Sequence, residues 1–396
     1  MLKHRLTSHL RTIIMSLLMM VVSLGMISHT AYGMTDFPTV AKQAYIVDFE
    51  SGRVLLDKNA DAPMKPASMA KIMTVYIAFK RIKEGSLSLD DKFLVSEKAW
   101  KKGGSRSFLN PNSEVDVDTL LHGVAVQSGN DAAIVLAEGM NGSEDAFADE
   151  MNRTAKQLGM ENTVFTNSTG WPDPNLTTTA RDLAILSTAM IREFPGDQYP
   201  ELYPVFAKID YTINKIKQGN RNPLLYGTAG ADGLKTGYTD ESGYGLVGSA
   251  ERNGQRITMV LNGMTSKKER SSESRRLMEL MFREFRSYDF YRAGETVDTA
   301  NVWLGQQAQV GLTVDKAVRK TLSRTERART DVSLHWSDPI PAPIKRGDRV
   351  GTLKITTEGD VQEVPLLAQY SVGQLGMIDR LGAALKYLIF GAPVAE

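Results

Sequence analysis

The sequence predicts an α/β fold of the α+β kind, with an antiparallel sheet against a cluster of helices, followed by a small C-terminal all-β sandwich. Hairpin patterns occur around Glu50-Ser51-Gly52 and around Asn253-Gly254. Several helical patterns lie between these hairpins and one follows them. From about Asp289 onward, short β-type runs alternate with turns. At 396 residues the chain is also long enough for two domains.

The first 33 residues have the pattern of a secretory signal peptide. Three basic residues come first, an apolar stretch runs from Ile13 to Ile27, and Ala31-Tyr32-Gly33 supplies the small residues of a cleavage site. An uncleaved membrane anchor is the alternative, but the apolar stretch is short for a membrane span. We therefore expect a signal peptide over 1–33 and a mature chain that works outside the cytoplasm.

The first domain is expected over 34–288. Its helix from Ser68 to Glu84 has little polar face, so burial is predicted for it, and Gly85 ends it. A loop spans 162–175, and Thr179-Ala180-Arg181-Asp182 has the pattern of a capping box. The predicted strands are Ala44–Phe49, Arg53–Asp57, Gly243–Ala250 and Arg256–Gly263, and the other predicted helices are Asp118–Gln127, Asp131–Met140, Glu144–Leu158 and Glu269–Phe285.

Two further segments follow. Residues 289–370 are predicted as the β-rich domain, with strand runs such as Val332–Trp336 and Arg349–Thr356. In 371–396, apolar residues recur at helical spacing from Leu375 to Ile389, while charged residues lie largely off that stripe. This pattern favours an amphipathic helix at a membrane surface. A helix docked on the sandwich, or a dimer contact, is the alternative.

Composition excludes several kinds of site. The chain has no cysteine, so it has no disulfide and no thiolate nucleophile. Only five histidines occur, and three of them lie within the first 33 residues, which leaves little for a catalytic triad or a metal site. The net charge is +1 and gives no electrostatic reason to expect nucleic acid as a partner. We expect no cofactor and no metal.

Three short strings carry the chemistry. Ser68-Met69-Ala70-Lys71, Ser128-Gly129-Asn130 and Lys235-Thr236-Gly237 occur in this order, and the patterns SxxK, SxN and KTG each occur once. Ser68 follows a proline at the predicted helix start, where backbone N–H groups favour a developing oxyanion. Lys71 lies three residues on, so its amine can reach the Ser68 hydroxyl.

Lysine is a poor base at its reference pKa of about 10.4, and a serine hydroxyl needs a base to become nucleophilic. Burial in the apolar helix and a second cation, for which Lys235 is the candidate, can lower that pKa by roughly 3–5 units. The sequence therefore predicts an acyl-transfer site with Ser68 as nucleophile and Lys71 as base. Ser128 can relay a proton to the leaving amine, and Asn130 can hold Lys71 or a substrate amide.

The third string suits substrate binding. Lys235 and Thr236 fit a substrate carboxylate, and Gly237 lets a strand backbone come close to the substrate. Each string also has an ordinary explanation: Ser68 as a helix cap, Lys71 as a solvated lysine, Ser128-Gly129-Asn130 as a break between helices, and Lys235-Thr236-Gly237 as a strand-entry turn. Their joint order and spacing favour the catalytic explanation.

On these strings the sequence resembles the serine-type D-alanyl-D-alanine carboxypeptidases, low-molecular-mass penicillin-binding proteins of the type-5/type-6 kind. The resemblance covers nearly the whole chain, and 100–106, 127–133 and 232–237 support it. It implies a penicillin-binding/serine β-lactamase-like catalytic domain that removes the C-terminal D-Ala from peptidoglycan pentapeptides. It also implies β-lactams as covalent inhibitors and a place at the periplasmic face of the inner membrane.

The resemblance further implies a role for each residue. Ser68 is acylated by the penultimate D-Ala carbonyl, Lys71 is the base and Ser128 shuttles the proton. The backbone N–H groups of Ser68 and Tyr238 form the oxyanion hole, and Arg221 helps to bind the terminal carboxylate. Similar enzymes often have His where this chain has Tyr238, a difference that leaves a backbone donor in place.

Three alternatives stay open at this point. A β-lactamase of the same fold needs a Glu to activate the deacylating water, and 167–179 contains Asp173 but no Glu. An endopeptidase or transpeptidase uses the same acyl-enzyme with a different acceptor or bond. A non-catalytic envelope module that binds peptidoglycan has no need for an intact Ser68 and Lys71.

Overall fold

A computed structural model describes residues 37–390. The predicted signal peptide over 1–33 lies outside the described residues. The helices are α1 Lys71–Lys83, α2 Glu97–Lys101, α3 Val117–Ala125, α4 Asn130–Asn141, α5 Glu144–Leu158, α6 Ala180–Glu193, α7 Lys267–Glu284, α8 Arg324–Ala328 and α9 Met377–Phe390. Short 3-10 turns occur at Ala67–Ala70, Tyr203–Ala207 and Pro223–Tyr226.

The main sheet is antiparallel and has five strands in the order β2-β1-β9-β8-β7. These strands are β1 Gln43–Asp48, β2 Val54–Lys58, β7 Ala231–Thr239, β8 Gly243–Arg252 and β9 Gln255–Met264. The predicted turn Asn253-Gly254 joins β8 to β9, with φ of 52° and 73° at its two residues. Such a turn needs two residues that tolerate positive φ, which explains the Asn-Gly pair. The order leaves β7 at one edge of the sheet.

Two apolar layers enclose this sheet. On one face, side chains such as Val47, Val247 and Val260 pack with the helical cluster of α1 and α3–α6. On the other face, Ile46 and Leu261 pack against α7. Strand side chains alternate between the two faces, so neighbouring residues of β1 belong to different cores. The predicted antiparallel sheet with a helical cluster is confirmed.

Helix α1 is the centre of the cluster. Every residue from Lys71 to Phe79 is buried, as the lack of a polar face predicts. Gly85, at φ 74°, follows the helix end. Thr179 caps α6 by accepting from the Asp182 backbone N–H, but the expected reciprocal half of a capping box is not formed. The Asp182 carboxylate instead accepts from the Asn162 N–H and the Thr163 hydroxyl, and so anchors the start of the 162–175 loop.

Two small two-stranded sheets were not predicted. Strands β3 Lys92–Leu94 and β4 Glu114–Asp116 pair with each other, as do β5 Asp210–Ile213 and β6 Ile216–Gly219. Each strand has only three or four residues. Runs this short carry too few alternating positions for period-2 patterning to show.

The C-terminal part is β-rich, as predicted. A six-stranded sheet has the order β14-β16-β17-β12-β11-β15, and β10 pairs with β13 in a second sheet. The predicted boundary near Asp289 falls inside β10. The strands are β10 Phe285–Tyr291, β11 Thr296–Trp303, β12 Gln309–Thr313, β13 Val318–Ser323, β14 Asp331–Trp336, β15 Ile340–Pro341, β16 Arg349–Thr357 and β17 Asp360–Ala368. The short helix α8 follows β13 and was not predicted.

The terminal helix α9 lies within the segment 371–396 for which a helix was predicted. Its described apolar side chains Met377, Ile378, Leu381 and Leu385 are between 61 and 88% exposed. Within 37–390, no helix combines the length and the apolar character that crossing a membrane requires.

Candidate active site

The first string lies on a tight turn that leads into the buried helix. Ser68 is in the 3-10 turn Ala67–Ala70, and Lys71 is the first residue of α1. Ser68 is partly exposed, whereas Lys71 is fully buried. The Lys71 Nζ lies 3.0 Å from the Ser68 Oγ. The predicted pair is therefore formed, with the hydroxyl open to the cleft and the amine behind it.

Two further acceptors hold the Lys71 amine. Its Nζ donates to the Asn130 Oδ1 at 2.7 Å and to the Thr169 carbonyl at 2.7 Å. Among the described residues no carboxylate lies within 4.0 Å of it. A neutral amine has two N–H groups, and these two oxygens can only accept. The nitrogen lone pair is then left for the Ser68 hydroxyl, which is the arrangement that a general base needs.

The electrostatics of the site favour that neutral form. Burial, followed by the positive charge of Arg221, lowers the pKa of Lys71 from 10.5 to about 7. Burial and then the charge of Lys71 also lower the pKa of Lys235 well below its usual range. The expectation that Lys235 is the second cation acting on Lys71 thus needs correction, because Arg221 has the larger effect.

The second string fixes the position of Asn130. The Asn130 Nδ2 donates to the Gly103 carbonyl at 2.7 Å, which turns its Oδ1 toward Lys71. Its backbone N–H donates to the Ser105 carbonyl at 2.8 Å. Gly129 has no room for a side chain, since an added Cβ would lie 2.1 Å from the Ser107 Oγ. These contacts with the 103–107 segment therefore hold the string in place at the start of α4.

Ser128 precedes Asn130 by two residues and is buried, with a left-handed backbone at φ 61°. This conformation is uncommon for a residue with a side chain and often marks a functional position. Within 37–390, no hydrogen bond joins Ser128 to Ser68 or Lys71. The proton relay expected of Ser128 therefore stays a prediction.

The third string runs along the edge strand β7. Lys235 and Thr236 are buried there. A Cβ added at Gly237 would lie 2.8 Å from the Pro66 carbonyl and 3.2 Å from the Ala67 Cβ. The glycine was predicted to allow an approach to substrate, but in the structure it allows the turn that carries Ser68 to pack on β7. Ser68 thus lies beside the edge strand.

Cations gather at this end of the cleft. Arg221 is exposed and donates to the Ser105 hydroxyl. Arg270, on α7, is buried and donates to the Arg221 carbonyl at 3.5 Å. Burial lowers the pKa of Arg270 to about 10, and Arg221 and Arg270 both act on Lys235. Together these cations suit a substrate carboxylate.

Tyr238 lies at the rim. Its ring is 48% exposed and stacks on Tyr244 with 4.2 Å between ring centres. Its hydroxyl donates to the Asp240 carboxylate at 2.6 Å, and this bond raises the pKa of Tyr238 to about 12. The phenol is thus engaged outside the cleft, so the oxyanion role expected at this residue depends on its backbone.

Sequence reasoning did not find several groups of the site. The Thr169 carbonyl, the Ser105 hydroxyl and Arg270 all contact predicted site residues. A backbone carbonyl has no sequence signal, and Arg270 lies in a charged helix without a motif. Among the described residues, no group of three or more His, Cys, Asp or Glu is placed to hold a metal ion.

Known proteins match this architecture. Residues 32–265 match the family model described as D-alanyl-D-alanine carboxypeptidase. Residues 285–374 match the model described as penicillin-binding protein 5, C-terminal domain. The D-alanyl-D-alanine carboxypeptidase DacC of Escherichia coli is 36% identical over 356 residues, covering 87% of this chain and 88% of the relative.

Solved structures agree. Penicillin-binding protein 5 from Haemophilus influenzae is 33% identical, with a TM-score of 0.74 over 86% of this chain and all of that chain. Penicillin-binding protein D2 from Listeria monocytogenes, solved in an ampicillin-bound form, is 31% identical, with a TM-score of 0.53 over 62% of this chain and 99% of that chain. The match spans both parts of the fold. The chain belongs to the D-alanyl-D-alanine carboxypeptidase family.

Proposed function

We propose that this protein is a serine-type D-alanyl-D-alanine carboxypeptidase that removes the C-terminal D-Ala from peptidoglycan pentapeptides. The observation that carries the proposal is the contact of 3.0 Å between the Ser68 Oγ and the Nζ of a fully buried Lys71. The family relatives, whose names state this activity, support it.

The chemistry follows from the site. Neutral Lys71 takes the Ser68 proton as the Oγ attacks the penultimate D-Ala carbonyl. The oxyanion forms at the start of the Ala67–Ala70 turn, where the Ser68 and Tyr238 N–H groups are the proposed donors. Ser128 passes a proton to the leaving D-Ala amine. Collapse of the tetrahedral intermediate breaks the C–N bond and releases D-Ala. Water then attacks the acyl-enzyme carbonyl, the ester C–O bond to Ser68 breaks, and the Ser68 hydroxyl and neutral Lys71 are regenerated.

The cations place the substrate. The terminal carboxylate is proposed to bind at the end of the cleft that holds three cations and one hydroxyl: Lys235, Arg221, Arg270 and Thr236. The edge of β7 is available to an extended peptide backbone. This arrangement selects a carboxy-terminal substrate over an internal peptide bond, which favours carboxypeptidase over endopeptidase action.

The same site is proposed to react with β-lactams, and the ampicillin-bound relative supports this. The loop 167–179 contains no Glu that could activate a deacylating water. We therefore expect stable penicilloylation rather than rapid turnover, which distinguishes this protein from a β-lactamase.

Fluorescent penicillin and a pentapeptide substrate test the proposal together. The wild type should be labelled, and mass spectrometry should show loss of one alanine from the pentapeptide. Ser68→Ala should abolish both without changing the fold, whereas Ser105→Ala should keep labelling. Equal labelling of wild type and Ser68→Ala, or cross-linked peptide dimers as the main product, would contradict it.

We further propose export, with α9 attaching the protein to the periplasmic face of the inner membrane. The signal pattern of 1–33 and the exposed apolar side chains of α9 support this. Deleting 377–396 should move the protein from the membrane fraction to the soluble fraction and leave penicillin labelling unchanged. Membrane retention of the truncated protein would contradict the anchoring role.

A further inference from the structure

Glu144 is a buried carboxylate outside the three strings. It is the first residue of α5 and is only 6% exposed. Its Oε1 accepts from the Ser168 Oγ at 2.8 Å and from the Ser168 N–H at 3.2 Å. Its other oxygen pairs with the Lys98 Nζ at 2.9 Å. Burying an ionised carboxylate is costly unless it is paired and hydrogen-bonded, and these contacts provide both.

Ser168 connects Glu144 to the catalytic lysine. Thr74, one helical turn after Lys71 on α1, donates to the Ser168 carbonyl at 2.7 Å. The next residue, Thr169, presents the carbonyl that accepts from the Lys71 Nζ at 2.7 Å. The Ser168 backbone is thus held at its N–H by Glu144 and at its carbonyl by Thr74. Together with the bonds from the Thr169 N–H and hydroxyl to the Asn167 Oδ1 at 3.2 and 2.8 Å, these two contacts restrain the direction of the Thr169 carbonyl.

We propose that Glu144 is a positioning residue for the Ser68–Lys71 pair, because its carboxylate holds Ser168 and so keeps the Thr169 carbonyl on the lysine amine. The proposal rests on the proposed acyl-transfer function. It adds a second effect, since the negative charge of Glu144 also stabilises the protonated form of Lys71.

Several charges face Lys71 from the elements packed around it. Arg221, Lys235 and Lys102 are positive; Asp131, on α4, and Glu144, on α5, are negative. Burial alone would raise the pKa of Glu144, but hydrogen bonds from Lys98 and Ser168 outweigh it and hold that pKa below its usual range. Glu144 is therefore charged at neutral pH and opposes the burial that lowers the pKa of Lys71.

Glu144→Gln separates the two effects. The amide keeps an oxygen for Ser168 but loses the negative charge, so the pKa of Lys71 should fall. The acid limb of the pH profile of penicillin acylation should move to lower pH by a few tenths of a unit, with the maximal rate within about threefold of wild type. Glu144→Ala also loses the hold on Ser168, and its rate should fall about tenfold across the whole pH range.

Two controls make the test specific. Asp145→Asn removes the same charge from the next residue of α5, which is exposed, and should leave the profile unchanged. Lys98→Gln removes the cation that compensates Glu144 and should move the acid limb to higher pH. A shift for Glu144→Gln and Lys98→Gln in opposite directions supports the proposal.

A purely structural role for Glu144 predicts a different result. If Glu144→Gln and Glu144→Ala lower only the melting temperature and keep the wild-type profile and rate, Glu144 is a structural residue and the proposal is wrong. Loss of penicillin labelling in the wild type would instead refute the proposed function, and the two failures are therefore distinguishable.

Discussion

The Lys71 side chain combines deep burial with three oxygen neighbours and no carboxylate partner among the described residues. Burial disfavours the ammonium, while the carbonyl oxygens of Asn130 and Thr169 accept from either protonation state. The balance places the pKa of Lys71 at about 7, where proton transfer in both directions is efficient. In the proposed mechanism, Lys71 takes the role that histidine has in a Ser-His-Asp triad.

A pH profile tests this balance at the level of one residue. Protonated Lys71 has no lone pair, so the second-order rate of penicillin acylation should decrease as the pH falls through about 7. Well below that pH the rate should fall about tenfold per unit, as for a single essential base. Stopped-flow acylation across this range measures it. A rate that is constant from acid to neutral pH would show that Lys71 is not the base.

The 162–175 loop contacts the turn that carries Ser68, although neither segment shows this contact in its sequence pattern. Gly170, at φ 74°, lies where an added Cβ would be 1.8 Å from the Ala67 carbonyl. The 162–175 loop and the turn that carries Ser68 are therefore in direct backbone contact. This contact, together with the hold of Glu144 on Ser168, brings the loop against α1.

Gly170→Ala should disturb that contact. The positive φ and the overlap with Ala67 should together cost about 1–3 kcal/mol of unfolding free energy and reduce acylation strongly. Gly142→Ala is the matched control, since Gly142 has φ 77° but nothing within 4 Å of an added Cβ. Its unfolding free energy should fall by only about 1 kcal/mol, the cost of the backbone strain, and its acylation rate should equal that of the wild type. Urea titration measures the unfolding free energy of each variant, and penicillin acylation measures its activity. Equal acylation rates of the two folded variants would argue against the contact.

The elements differ in how far the sequence predicts them. Helix α5 has the predicted bounds Glu144–Leu158, because N-cap Ser143 and the left-handed Gly159 mark both of its ends. The Asn253-Gly254 turn is predicted for the same local reason. The contacts of Gly237 with Pro66, and of Thr169 with Lys71, join segments far apart in the chain, and no local pattern encodes such pairs.

The same distinction applies to the site. Ser68, Lys71 and Asn130 belong to strings with fixed spacing, and the structure brings these three together. Arg270, Glu144 and the Ser168 backbone act through tertiary contacts, so their identity follows only from the fold. Asp182 is a similar case. The sequence predicts that its carboxylate caps its own helix, but in the structure the carboxylate accepts hydrogen bonds from the 162–175 loop.

The β-rich part contacts the first hairpin through several polar side chains, among which Arg53 makes the most hydrogen bonds. The Arg53 guanidinium donates to the Glu326 carboxylate at 2.6 and 2.9 Å and to the Thr321 carbonyl at 2.6 Å. The Ser51 hydroxyl adds a bond of 3.1 Å to the Thr321 hydroxyl. These contacts lie at the β1–β2 edge of the main sheet, opposite the active-site edge at β7.

Arg53→Met should loosen this contact without affecting catalysis. A bidentate, half-buried ion pair with an added carbonyl bond is worth about 1–3 kcal/mol. We expect faster proteolysis near residue 289 and an unchanged penicillin acylation rate. Arg283→Met removes an exposed ion pair with Glu284 and should change neither quantity. A loss of acylation in Arg53→Met would show that the two parts are coupled.

The titration of Lys71 itself is the sharpest test of its proposed role as the base. NMR of protein labelled with 13C at the lysine Cε, with resonances assigned by comparison to Lys71→Arg and Lys235→Arg, follows each ammonium separately. The Lys71 signal should titrate with a midpoint of about 7. A Lys71 midpoint at 10.5, the ordinary value for a lysine in water, would contradict it.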